Sequence, residues 1–226
     1  MENTIQFQAD DGVTITADLY MSHDKDAPFI VLFHQAGSSR GEYNEIAPRL
    51  NKLGFNAMAI DQRSGSSSNG KSNETNSSAR NLGKNTKYMD AAEDLTAAFN
   101  YAKNNYAESK ILVWGSSYSA SLVLLLSGRN QINPDGILSF SPGEYLGFRN
   151  KVASAVKSIN VPVFITSAKN EKNSWWKIFG SIPSKNKTYF IPESKNGRHG
   201  SSTLFSTEEA SGDYWAAVEK FLKQFN

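Results

Sequence analysis

Short, nearly unbroken apolar runs recur at Phe29–Phe33, Phe55–Ile60, Lys110–Trp114, Gly136–Phe140, Val161–Thr166 and Thr188–Ile191. They constrain the fold of this chain more than any other feature. A strand with one wet face alternates apolar and polar residues, whereas a run apolar throughout reads as a strand covered on both faces, as in a parallel sheet. Between the runs the spacing is helical. The segments are Gly41–Leu53 (Tyr43, Ile46, Ala47, Leu50), closed by Gly54, then Tyr88–Tyr106, Ser117–Ser127, Val152–Ser158, Trp175–Phe179 and Asp213–Phe221. Strand and helix in alternation predict a mostly parallel, doubly wound α/β sheet with helices on both faces. Only the opening departs from this pattern. Thr4–Ala9 and Val13–Tyr20 alternate around Asp10-Asp11-Gly12, which predicts an antiparallel hairpin.

No repeat and no linker divides the 226 residues, so a single domain over 1–226 is expected. Hydrophobic residues at 39% and aromatics at 12% suffice for a substantial core and exclude wholesale disorder. With 24 Lys+Arg against 22 Asp+Glu, the chain lacks the excess positive charge expected of a nucleic-acid or anionic-membrane partner. Its longest apolar stretch, around Leu122–Leu126, is far too short to span a bilayer. Cysteine is absent, which excludes a disulfide frame, a thiolate metal site and a cysteine nucleophile. The first residues lack the basic and apolar regions of a signal peptide, so a cytoplasmic location is expected unless an export signal has been removed. Residues 64–87 are rich in Ser, Asn, Gly and Lys and read as a flexible polar loop, either plainly solvated or a flap beside a site.

The sharpest chemical signal is Gly115-Ser116-Ser117-Tyr118-Ser119, between an apolar strand and an apolar helix. Small residues around a serine at a strand-to-helix turn suit a nucleophile elbow, with Ser117 aimed outwards and the helix N-terminus favouring negative charge. The plain alternative is an ordinary helix N-cap at Ser116 or Ser117. Of the three histidines, His23, His34 and His199, only His199 follows Ser117, as the order nucleophile, acid, histidine requires. It lies in Asn196-Gly197-Arg198-His199-Gly200-Ser201, where glycines on both sides let a loop reach across the sheet edge. The acid is expected after the strand Val163–Ile165. There Glu171 is favoured and Asn170 is the runner-up, because an amide can orient an imidazole but cannot compensate its charge. His34 reads as a structural hydrogen-bonding residue opening the small-residue loop Gln35-Ala36-Gly37-Ser38. That loop is expected to supply one oxyanion donor, the N–H of Ala36 or Gln35, with the N–H of Tyr118 as the other.

Taken together, Phe29–His34-Gln35-Ala36-Gly37-Ser38, Asp61-Gln62-Arg63-Ser64-Gly65, Gly115-Ser116-Ser117-Tyr118-Ser119 and Gly197-Arg198-His199-Gly200 resemble the α/β-hydrolase superfamily. They are most similar to its small, lid-poor dienelactone-hydrolase-like and carboxylesterase-like members, along essentially the whole chain. The resemblance implies an eight-stranded sheet and hydrolysis through an acyl-enzyme. It also implies that Asp61–Gly65, similar to an Asp-x-Arg-Gly-x-Gly loop, is structural. Two departures matter. Ser119 replaces the second elbow glycine, and the cysteine of dienelactone hydrolases has no counterpart, so their substrate is not carried over.

The resulting expectation is a serine hydrolase cleaving esters of small acids or alcohols, with no metal or organic cofactor. Trp175 and Trp176 are expected either to wall the substrate pocket or to belong to the core. Amide or thioester cleavage on the same fold is the first alternative, and a catalytically inactive binding module is the second.

Overall fold

A computed structural model describes residues 2–226 of the chain. The opening hairpin pairs β1 (Glu2–Gln8) with β2 (Thr14–Tyr20), and Gly12 adopts the positive φ of +85° that its turn requires. β3 (Phe29–Phe33) follows, then a 3-10 turn at Arg40–Tyr43 and α1 (Ile46–Lys52), so the helical pattern expected over Gly41–Leu53 is split in two. β4 (Asn56–Ile60) leads into the segment read as a loop.

That reading is corrected by the structure. Residues 64–87 contain a small hairpin, β5 (Ser67–Ser68) with β6 (Lys71–Ser72), and a helix, α2 (Glu74–Asn81). Asn69-Gly70 forms the turn with both φ values positive, the chemistry of a two-residue hairpin. The Asn73 side chain caps α2 by accepting from Asn76 N at 2.7 Å. α2 then lies on β2, where Thr75 Oγ1 and Ser78 Oγ accept the Thr16 and Thr14 N–H groups. The segment is held by polar bonds to the body of the protein rather than by apolar burial, so hydropathy misses it.

The rest of the chain alternates as expected: α3 (Ala92–Asn105), β7 (Ile111–Ser116), α4 (Tyr118–Gly128), β8 (Gly136–Phe140), α5 (Lys151–Ala155), β9 (Val163–Thr166), α6 (Lys172–Ser181), β10 (Lys187–Phe190) and α7 (Ser211–Leu222). The eight-stranded sheet has the order β1-β2-β4-β3-β7-β8-β9-β10, parallel from β4 to β10. Both faces are dry. On β3, Phe29, Val31 and Phe33 pack with α3 and α4, whereas Ile30 and Leu32 pack with α1 and α7. Each such fully buried side chain contributes about 1.5–3 kcal/mol relative to exposure. This is the α/β-hydrolase fold, and its parallel strands deliver their C-terminal loops to one edge of the sheet.

Candidate active site

The elbow forms at the end of β7. Ser117 is held at φ 59°, ψ −121°, a strained conformation for a residue with a side chain. Its N–H donates to Phe140 O at 2.7 Å, which anchors the turn to β8. Residue 115 has to be glycine, since a Cβ there would meet the Ser119 carbonyl and the Ala120 N. Ser119, where a second glycine was the family expectation, loosens nothing. Its hydroxyl donates to His34 O at 2.6 Å and accepts from Gln62 Nε2 at 2.5 Å, tying α4 to the ends of β3 and β4.

His199 enters from the loop after β10. Its Nε2 lies 2.8 Å from Ser117 Oγ, and its Nδ1 makes a short hydrogen bond to Glu171 Oε1. The loop is seated by two bonds to sheet-end serines: Gly200 N donates to Ser141 Oγ (2.8 Å) and Ser201 N to Ser116 Oγ (2.9 Å). Gly200 has a φ of +67°, and a Cβ on it would run into Ser116 Oγ. Glu171 Oε2 accepts from Ser141 Oγ (2.7 Å) and Ala168 N (3.1 Å), so the carboxylate is fixed on both oxygens. Asn170, the other candidate acid, is exposed and makes no hydrogen bond to His199.

The charges follow from these contacts. Burial works to raise the Glu171 carboxyl, but the hydrogen bonds from His199 and Ser141 outweigh it and hold the group below the usual range. The Glu171 bond raises the His199 imidazole above its ordinary value, against a smaller opposing effect of burial. His34 differs in every respect. It is fully buried, its Nδ1 donates to Gln35 O (2.7 Å) and its Nε2 accepts from Gln62 N (2.9 Å). Burial pushes it down to about 4, so it is a neutral brace between two loops.

The oxyanion donors sort themselves by what each N–H already does. The Gln35 N–H donates to Glu42 Oε2 at 2.7 Å and is not open to a substrate. The Ala36 N–H makes no hydrogen bond among the described residues. That of Tyr118, the first residue of α4, has no partner within the helix. Ala36 and Tyr118 therefore remain as the two candidate donors, and Gln35 is withdrawn.

For the tryptophans, the core reading holds at Trp175 and the pocket-wall reading is withdrawn for both. Trp175 is buried, and its Nε1 donates to Ser167 Oγ at 2.8 Å, so it is core. Trp176, half-exposed, packs with Phe179 and Tyr189 on the β10 side rather than with Ser117, His199 or Glu171. Two aromatics not singled out by the sequence reading do flank the site. Tyr88 stacks on Tyr118 with ring centroids 4.6 Å apart, and the Tyr145 hydroxyl donates to Ser141 O at 3.4 Å; both are partly exposed. Neither carries a motif, and only their proximity to elbow residues marks them. Asp61 and Arg63 are structural, paired with Arg40 and with Asp94 and Asp11.

Residues 24–149 match the family described as serine aminopeptidase, S33. No curated protein matches the sequence. Among solved structures the chain is similar to a dienelactone hydrolase from Anabaena variabilis, with TM-score 0.76, 14% identity, and 100% of this chain and 98% of that one covered. It is also similar to the Pyrococcus furiosus esterase Pf2001 (TM-score 0.72, 20% identity, 100% and 93%). Est1E from Butyrivibrio proteoclasticus, solved with ferulic acid bound, is a third (TM-score 0.72, 15% identity, 98% of each). At these identities the likeness is one of fold.

Proposed function

The chain belongs to the serine aminopeptidase, S33 family, and on that premise we propose that it is a serine hydrolase cleaving carboxylic esters of small acids or alcohols through an acyl-enzyme. The observation that carries this reading is the unbroken line from Ser117 Oγ through His199 to Glu171. Ser117 Oγ attacks the carbonyl carbon while His199 Nε2 takes its proton, and the N–H groups of Tyr118 and Ala36 receive the charge on the carbonyl oxygen. His199 then gives the proton to the leaving alkoxide. A water activated by the same imidazole releases the acid and restores Ser117. Glu171 holds the Nδ1–H tautomer and offsets the imidazolium charge. Tyr88 and Tyr145 form walls of the substrate cleft in this reading.

The family description favours a second reading, cleavage of an amide at a free amino terminus. Recognition of an ammonium calls for a carboxylate facing the cleft. Glu171 is committed to His199 and Ser141, and Glu144 to the Val152 and Ala153 N–H groups at the start of α5. Those commitments support the ester reading. The test compares p-nitrophenyl esters of increasing acyl length with aminoacyl p-nitroanilides, with Ser117→Ala in parallel. Ester turnover that vanishes in Ser117→Ala is expected. Turnover retained in that variant overturns the assignment, and failure of the native protein to react with a fluorophosphonate favours a binding module.

A further inference from the structure

Glu42 is a carboxyl in the wrong place for a surface residue. It follows the loop after β3, is 1% exposed, and has no salt-bridge partner among the described residues. Its Oε2 accepts the Gln35 N–H at 2.7 Å. Its Oε1 has no hydrogen-bond partner; the Ser38 and Ser116 hydroxyls are close enough to favour the ionised form without reaching hydrogen-bond geometry. Burying a carboxyl this way is costly, and an apolar side chain of similar size spares that cost. Its charge reaches His199, where it is the smallest of the influences on the imidazole, and its one hydrogen bond is to the Gln35 N–H.

Gln35 is the residue before Ala36. Its carbonyl is held by His34 Nδ1 and by Ser38 N (3.2 Å), and its N–H by Glu42, so its backbone is gripped at both ends. The peptide that follows, which carries the Ala36 N–H, is oriented by that grip. We propose that Glu42 is a positioning residue of the oxyanion site: by occupying the Gln35 N–H it directs the Ala36 N–H, and not that of Gln35, at the developing oxyanion. The inference rests on the hydrolase reading above. Burial pushes the Glu42 carboxyl up to about 7, and both its ionised and its neutral forms keep an oxygen for the Gln35 N–H. The needed property is thus an acceptor at the right reach, not a charge.

Three substitutions separate these properties. Glu42→Gln keeps reach and acceptor, Glu42→Asp keeps charge but falls one methylene short, and Glu42→Leu keeps bulk alone. The readouts are kcat and KM for a short-chain p-nitrophenyl ester and the affinity for an alkyl trifluoromethyl ketone, whose adduct with a serine carries an oxyanion. Glu42→Gln is expected to stay within about threefold of the native protein. Glu42→Asp and Glu42→Leu are expected to lose about 10²-fold in kcat with little change in KM, the size of loss seen when one oxyanion donor is removed. Ketone affinity falls in parallel. A folded Glu42→Asp or Glu42→Leu with native kcat overturns the proposal. So does a Glu42→Gln as impaired as Glu42→Asp, and this comparison decides the matter if Glu42→Leu does not fold. Failure of the hydrolase reading itself has another signature: the native protein neither turns over esters nor reacts with the ketone.

Discussion

Two histidines lie at the same edge of the sheet and have opposite fates. His34, at the end of β3, is enclosed with no charged partner, and burial drives it to about 4. His199, on the loop after β10, keeps part of its surface in water and gains a carboxylate, which raises it. Both engage both ring nitrogens in hydrogen bonds. The partners differ: two backbone groups and the Asn73 amide on one side, a carboxylate and a serine hydroxyl on the other. Partner chemistry sets the two apart: neutral partners leave His34 a brace, and a carboxylate fits His199 for the base of the proposed mechanism.

The most severe way to break this contrast is His199→Ala, expected to lower kcat by about a millionfold in a protein that still folds cooperatively, checked by ester assay and urea unfolding. Glu171→Gln comes next, with a loss of about ten-thousandfold, because the amide no longer compensates the imidazolium. Its residual activity also sharpens the comparison. The proposed mechanism needs neutral His199, so the acidic limb of kcat/KM is expected above 6.5 in the native protein and lower in Glu171→Gln. His34→Phe is expected to act on stability, costing about 1–3 kcal/mol by stranding the Gln62 N–H, with kcat/KM falling no more than about tenfold.

The pH dependence of folding carries opposite signs at the two sites. His34 has a folded value below the ordinary 6.5. As pH falls from 6.5 towards 4 the unfolded chain takes a proton that the folded chain refuses, and stability drops by about 3 kcal/mol. That drop is absent in His34→Phe. His199, raised by Glu171, stabilises the fold below 6.5 and loses that contribution as pH rises through its folded value. Urea titrations of the native protein, His34→Phe and Glu171→Gln from pH 4 to 8 separate the two slopes. The smallest effect belongs to Asn170→Ala, expected to change kcat/KM by less than about twofold, since Asn170 makes no bond to His199.

How much of this was legible depended on distance along the chain. β3 and β8 have the bounds read from the apolar runs, and β4, β7, β9 and β10 differ from them by only a few residues. Ser117 and His199 were legible from a local motif and from elimination among three histidines. The choice between Glu171 and Asn170 was not, because adjacent residues on a turn point in different directions and only the position of His199, 28 residues on, distinguishes them. α2 was missed because its attachments are hydroxyl-to-backbone bonds with β2, 59 to 64 residues earlier. The role of Ser119 was not legible for the same reason: its partner, His34 O, is 85 residues away.

From the sequence alone came the parallel sheet, the opening hairpin, the elbow and the histidine. Each is written in burial periodicity or in a turn that needs particular small residues, properties set within a few positions. Only the tertiary structure decided which carboxylate meets the imidazole, which backbone N–H stays open beside the elbow, and that a buried Glu42 holds the other. Those outcomes depend on single polar atoms from separate strands arriving within about 3 Å of one another, a geometry that local spacing does not encode.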